Sequence, residues 1–235
     1  MKNLRIEALV LAVGLMLLGL FVKCGLTSFA ARDRIVSVKG LAEREVKADK
    51  VIWPLIYKTV GNDPSAIYTH ISTVNARILN YLKRNGITND EISIGAPQII
   101  DIKADRYASA SEKQTDRYNV SSIITVSTNK VDAVRGMMAR MGELLKEGIA
   151  ISAGDYNTSV EYDFTSLNKI KPQMIEEATN NAREGAMKFA KDSESQLGKI
   201  KNASQGLFTI ENRDANTPYI KKVRVVTNVD YYLDN

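Results

Sequence analysis

The chain carries one cysteine (Cys24), one histidine (His70) and one tryptophan (Trp53). With Cys24 inside the N-terminal apolar stretch, the remainder has no disulfide, thiol nucleophile or cysteine metal ligand and must hold together by packing alone. A lone His70 cannot form a His-rich metal set. It sits one position before Ile71 in a predicted helix, at the border of that helix's apolar stripe, and reads as a surface or boundary residue. Glycine-patterned phosphate loops and the G-x-S-x-G elbow are also missing. Nothing in the sequence assigns a catalytic, cofactor-binding or metal-ligating residue, and a non-enzymatic role is expected.

Charge of one sign is lacking too. The chain has 32 basic and 27 acidic residues. Setting aside Lys2, Arg5, Lys23 and Glu7 with the first 31 residues leaves 29 against 26, a net of about +3. Such a mixed surface, without a basic cluster interleaved with aromatics, is not that of a nucleic-acid binder.

What is present begins with the leader. Lys2 and Arg5 precede an apolar run from Ala8 to Val22 that includes Leu9, Leu15, Leu18 and Phe21, and Lys23 breaks it. Two readings stand: a secretion signal with Ser28-Phe29-Ala30 as the small-x-small cleavage site, or an uncleaved anchor from Leu4 to about Phe29 with Lys23 snorkelling. Either places the rest, residues 32–235, outside the cytoplasm, as a periplasmic or membrane-anchored domain. Val22 and Lys23 before Cys24 are not the small residues of a lipidation site.

The rest reads as α+β: largely antiparallel sheets with three main helices packed on them, following the N-terminal apolar helix. Short strands are expected at Ile35–Lys39 and Arg44–Lys50 around Gly40, and a third at Val51–Val60, where Pro54 implies an edge or a bulge. Asp63 caps a helix opened by Pro64, with Ile67, Ile71, Val74, Ile78 and Leu82 as its buried stripe and Gly86 as its end. A strand over Glu91–Ile102 again meets a proline, Pro97. The polar stretch Lys103–Asp116 joins it to a strand over Arg117–Thr128. Asn129 caps a second helix with Val131, Val134, Met138, Met141 and Leu145 inward, closed by Gly148. Tyr156–Thr165 alternates, with Tyr162 inward and Glu161 and Asp163 outward. The spacing of Ile175, Ala178, Ala182, Ala186, Phe189, Ser193 and Leu197 predicts a third helix over Pro172–Leu197, capped by Gly198. Its small residues suit close approach to a sheet. Strands at Gln205–Glu211 and Tyr219–Leu233 complete the plan. Two sub-lobes, about 32–128 and 129–235, are expected from the repeated strand-strand-helix order.

The segments SVKGLAEREVKADKVIWPL (37–55), FTSLNKIKPQMIEEATNNAREGAMKFAKDSESQLGKI (164–200), ASQGLFTI (203–210) and VRVVTNVDYYL (223–233) together resemble the SIMPL domain family. The resemblance covers nearly the whole chain after the leader and rests on the ordered set, not on one short motif. It implies a bacterial protein exported to the periplasm or held on the outer face of the inner membrane. The eukaryotic member that names the family associates with a signalling kinase. Bacterial members are linked to oxidative-stress protection and form large ring-like oligomers. No catalytic residue transfers from the family pattern.

The remaining candidates are few. Trp53 and Pro54, with Tyr231 and Tyr232, are the candidate partner contacts, Trp53 having the core as its alternative place. Glu43, Glu45 and Asp49 fall on one strand face, Glu161 and Asp163 on another, and Glu176, Glu177 and Glu184 on the third helix. A carboxylate-dependent hydrolase would need two of these facing across a cleft, whereas solvated, salt-bridged strand faces need nothing more. The expected function is protein–protein contact with homo-oligomeric assembly through sheet edges. The alternative is an envelope stress protein that binds a small ligand or damaged polypeptides.

Overall fold

A computed structural model describes residues 2–31, 34–104, 116–152 and 159–234, with side chains described between 7 and 26 in the first segment. Most of the polar stretch 103–116, the start of the alternating strand (Tyr156–Thr158) and the Ser28-Phe29-Ala30 side chains lie outside the described residues. Among those described, the chain forms five α-helices and ten strands in antiparallel sheets, an α+β architecture.

Helix α1 (Lys2–Ala31) contains a 20-residue stretch, Glu7–Leu26, long and apolar enough to cross a membrane, with mean hydropathy 2.4 and none of it buried. Leu9, Leu15, Leu18, Phe21 and Val22 are all exposed.

The chain divides into two compact units: residues 1–44, 168–210 and 222–235 form one, and 45–167 with 211–221 the other. This differs from a cut near residue 128. The reason is topological: the C-terminal strand returns to the sheet of the first strand, so the first unit is assembled from three separated segments.

In the first unit, β1 (Ile35–Lys47), β10 (Ile220–Asp234) and β8 (Gln196–Gln205) lie in that order, and β9 (Thr209–Asn212) also pairs with β10. The two short strands expected around Gly40 are one continuous strand, because Gly40 is an ordinary strand position whose missing side chain admits a helix. That helix is α5 (Leu167–Asp192). Its inward row is Met174, Ala178, Ala182, Ala186 and Ala190, a strict four-residue spacing. A Cβ on Gly40 would lie 1.8 Å from the Ala178 carbonyl oxygen, so backbone rests on backbone.

Both ends of α5 differ from expectation. It starts before Pro172, which occupies an exposed position in its second turn, and stops at Asp192, where Glu194 takes φ 54°. Phe189, inside the helix but one position off its inward row, faces solvent; Leu197 lies in β8, and Gly198 is a strand residue whose Cβ would meet the Asp234 carboxylate at 2.9 Å.

In the second unit, β5 (Tyr118–Thr128) and β2 (Lys50–Gly61) pair antiparallel along their whole length, from Val51 opposite Thr128 to Gly61 opposite Tyr118. On the far side of β2, β7 (Glu161–Asp163) pairs as far as Ile52 and β6 (Ile151–Ser152) pairs with Ile56 and Tyr57. Pro54 is thus not on an edge strand. It falls in the gap between two short partners, where a missing N–H leaves no ladder bond unmade. On the near side, β3 (Ile92–Ile94) and β4 (Gln98–Asp101) both pair with β5. Three residues, Gly95 to Pro97, there oppose two, Ser122 and Ile123, so Pro97 sits at an edge and in a bulge, as expected.

Helix α2 (Pro64–Arg84) matches its prediction. The Asp63 carboxylate accepts from Ser65 N at 2.9 Å, the five stripe residues are buried together with Tyr81, and Gly86 follows with φ 89°. The next helix breaks in two, α3 (Val131–Ala139) and α4 (Gly142–Lys146). Its N-cap position is Lys130, without a side-chain capping bond, and not Asn129; just before it the Thr128 hydroxyl accepts from Lys130 N at 3.1 Å. The break rotates the inward row to Val131, Val134, Met137 and Leu144, leaving Met138 and Met141 half-buried and Leu145 exposed.

Candidate functional site

Trp53 belongs to the core of the second unit. It is 3% exposed, among Leu55, Ile78, Leu82, Ile124 and Val126. Its indole is therefore no surface anchor, because the helix stripes need a large filler on this face of β2. Pro54, next along the strand, is half-buried. Tyr231 is buried in the first unit against Val38 and Val229, while Tyr232 points the other way, half-buried, with the Lys201 ammonium 5.7 Å from its ring centre. Of the four candidate contact residues, only Pro54 and Tyr232 reach the surface of their units.

The carboxylates singled out by sequence are each occupied separately or stand alone. Glu43 pairs with Lys222 at 2.7 Å and Arg224 at 3.5 Å. Glu45 meets Arg213 at 3.4 Å. Asp49 accepts from Thr165 N at 2.7 Å, the Thr165 hydroxyl at 3.0 Å and Ser166 N at 2.9 Å. Burial alone would raise the Asp49 carboxyl; these hydrogen bonds together outweigh it and hold it below the ordinary range. Glu177 reaches Arg44 at 3.5 Å, and Glu176 and Glu184 remain exposed on α5. Glu161 and Asp163 are exposed on β7, flanking buried Tyr162. Within each unit, no two of these carboxylates are brought together across a cleft. His70 is exposed, its Nε2 2.7 Å from the Tyr57 hydroxyl.

Sequence reasoning passed over what the fold brings together. The outer edge of the second unit's sheet is β3 and β4, and among the described residues no strand pairs with their far side. Two consecutive residues of β4, Ile99 and Ile100, are 63% and 55% exposed, so apolar side chains project from both faces of an open edge. On the helix side, Ile99 joins Pro97, Tyr118, Val120, Pro64, Ile67, Tyr68 and Ile71 around a cavity of about 240 Å³. Tyr68, on the first turns of α2, is itself 68% exposed at the rim. Below it, Arg117 grips Asp101 through Nε and Nη2 at 3.0 and 2.8 Å and pins the ends of β4 and β5 together. The sequence signal was present in the pair Ile99-Ile100: a strand with one wet face alternates, and this one does not.

A tightly bonded carboxylate, Glu91, lies at the other end of the same edge. It accepts from the Thr128 hydroxyl at 2.5 Å, Thr88 N at 2.8 Å and the Lys130 ammonium at 3.0 Å. The Thr128 hydroxyl above all, then Thr88 N, lowers its pKa to about 2. Lys221 is buried and donates to the Asn212 side-chain oxygen at 2.5 Å; burial lowers its pKa, with the Asp163 charge opposing.

The family model described as "SIMPL: Protein of unknown function (DUF541)" matches residues 36–229 of the chain. No curated protein matches it.

Proposed function

The chain belongs to the SIMPL family, and from that premise we propose that it is a non-enzymatic, extracytoplasmic protein that acts through protein–protein contact, assembling first with copies of itself. The observation that carries this reading is the open β4 edge with exposed Ile99 and Ile100 beside an apolar cavity. An unpaired edge with exposed apolar side chains, its one charge (Asp101) tied to Arg117, is a template for another strand unless something covers it. A second β4 supplies the missing backbone partners and two more isoleucines, making four in an isologous contact.

The magnitudes favour assembly on a surface. Burying the four isoleucines from their present exposure is worth roughly 1–2 kcal/mol each. Association costs about 4–15 kcal/mol in lost freedom. The edge is therefore marginal for a dilute pair and effective when the chains are concentrated. An uncleaved Glu7–Leu26 helix would do this by confining them to a membrane, which raises effective concentration without new contacts. This supports an anchor on the outer face of the inner membrane over a cleaved leader.

Chemical cross-linking of the full chain reconstituted at high density in lipid vesicles tests the reading. A discrete oligomer that falls to monomer in Ile99→Lys/Ile100→Lys is expected. A monomeric wild type, or an oligomer indifferent to both substitutions, refutes assembly through this edge. The envelope-stress alternative, capture of damaged polypeptide, draws on the same feature, since an unfolded segment also adds as a strand. It predicts a monomer that binds an unfolded chain and loses it in the same double variant.

A further inference from the structure

The second unit holds another cavity, of about 410 Å³, within the range of small-molecule sites. Its walls are Met138, Val160, Tyr162, Pro218 and Tyr219, with one charged group, Arg135, and the exposed Asn216 at the mouth. No motif in the sequence points to it, because its parts come from α3, the strand around β7 and the turn before β10.

The arginine is posed. Its guanidinium carbon lies 3.5 Å from the centre of the Tyr219 ring, and Tyr162 meets that ring edge-on at 6.2 Å between centroids. The Tyr162 hydroxyl donates to the Met138 sulfur at 3.7 Å, and the Tyr219 carbonyl accepts from Ala48 N at 2.9 Å, so both aromatics are tethered. Stacking fixes the plane of the guanidinium and leaves its N–H donors to point sideways. Among the described residues only Nη1 is engaged, by Asp132 at 3.4 Å. That carboxylate is 78% exposed, and such a pair is worth little. Among the described residues Nε and Nη2, the side-on fork that matches a carboxylate, have no partner.

We propose that this cavity binds a small monocarboxylate with a flat apolar body, the carboxylate on the Nε–Nη2 edge of Arg135 and the body against Met138, Val160 and the tyrosine pair. One fork for charge and apolar walls for the rest is the usual division of labour in such sites. The site lies apart from the β4 edge residues, so it does not depend on assembly.

Phenylacetate is the probe and phenylacetamide its neutral counterpart, with the detergent-solubilised full chain as receptor and detergent alone as blank. Ligand-observed NMR and thermal stability read binding, since a ligand of the folded state alone raises Tm. Saturable phenylacetate binding is expected, at least about tenfold tighter than phenylacetamide. A loss of about tenfold or more is expected in Arg135→Lys, which keeps the charge and removes the fork. Met138→Trp, which fills the cavity and leaves the arginine in place, should abolish binding with circular dichroism unchanged. Failure of phenylacetate to saturate, equal binding of the amide, or undiminished affinity in Arg135→Lys or in folded Met138→Trp overturns the proposal. The assembly reading is tested separately in vesicles and through other residues, so either result can fail without the other.

Discussion

Replacing Gly40 with alanine tests how the first unit is built. The new Cβ would lie 1.8 Å from the Ala178 carbonyl oxygen and 2.6 Å from the Ala182 nitrogen. Both are helix backbone and cannot swing aside as a side-chain end would. Reaching a comfortable separation of roughly 3.5 Å means withdrawing α5 by about 1.7 Å. A gap of 0.5–1 Å already forfeits about a quarter to a half of a dispersion contact, and here the loss extends along Ala178, Ala182 and Ala186, each fully buried. Overpacking usually costs about 1–3 kcal/mol, and a strain shared by three positions belongs at or above the top of that range. Gly185, on the same helix, is the control. A Cβ there meets nothing within 4 Å, so Gly185→Ala should gain about 1 kcal/mol from helix propensity. The same change of residue in one unit therefore splits by about 4 kcal/mol. Urea unfolding followed by circular dichroism, compared at equal m, measures it. A Gly40→Ala midpoint within about 0.5 kcal/mol of wild type, the range of ordinary surface changes, would refute the close-approach argument.

Two further outcomes follow from the second unit. Glu91 has its carboxyl held at about 2 against an ordinary 4.5, so its contribution is complete above pH 4.5 and is lost as pH falls toward 2. With its side chain 16% exposed and the Lys130 side of the network open to solvent, Glu91→Gln should cost about 1–2 kcal/mol at pH 7 and almost nothing near pH 2. Unfolding curves at the two pH values check this, and a cost independent of pH would contradict it. Met137→Ala should cost about 2–5 kcal/mol, as a fully buried methionine does, and Met138→Ala distinctly less. Denaturation midpoints in the reverse order would place the break between α3 and α4 wrongly.

Where local chemistry dictates structure, the sequence was legible. Asp63, Pro64 and Gly86 each act within a few residues of themselves, so α2 could be read end to end. Pro97 likewise announced its bulge, because a missing N–H is a property of one residue. Elements failed where the deciding atom was remote. Pro172 resembles a first-turn residue, yet α5 begins at Leu167, since one lost intrahelical bond on an exposed face is tolerable when the opposite face packs without a gap. The helix ends at a left-handed Glu194, a conformation that carries no glycine signal. Strand β8 is almost wholly exposed, so it shows no alternation to detect. The stripe of α3 drifted by one residue because the break after Ala139 depends on how Met137 and Leu144 fit against the sheet, and neighbouring residues do not encode that fit.

The two surfaces with functional content were hidden for the same reason. Arg135 and Tyr219 are far apart in the chain, and neither stands in a recognisable motif. Only the fold lays one over the other. A guanidinium on a helix reads by default as a solvated charge, and a tyrosine before a strand as an inward residue. What converts the pair into a posed carboxylate fork is the stacking distance of 3.5 Å, a tertiary quantity. Ile99-Ile100 left a local trace in the broken alternation of β4, but whether such a pair is buried from both sides or left open depends on whether another strand follows β4 outward. Among the described residues none does. Sequence patterns record which residues seek burial. The fold decides which of them are left without it, and in this chain that residue of unmet burial is where partners and ligands are to be sought.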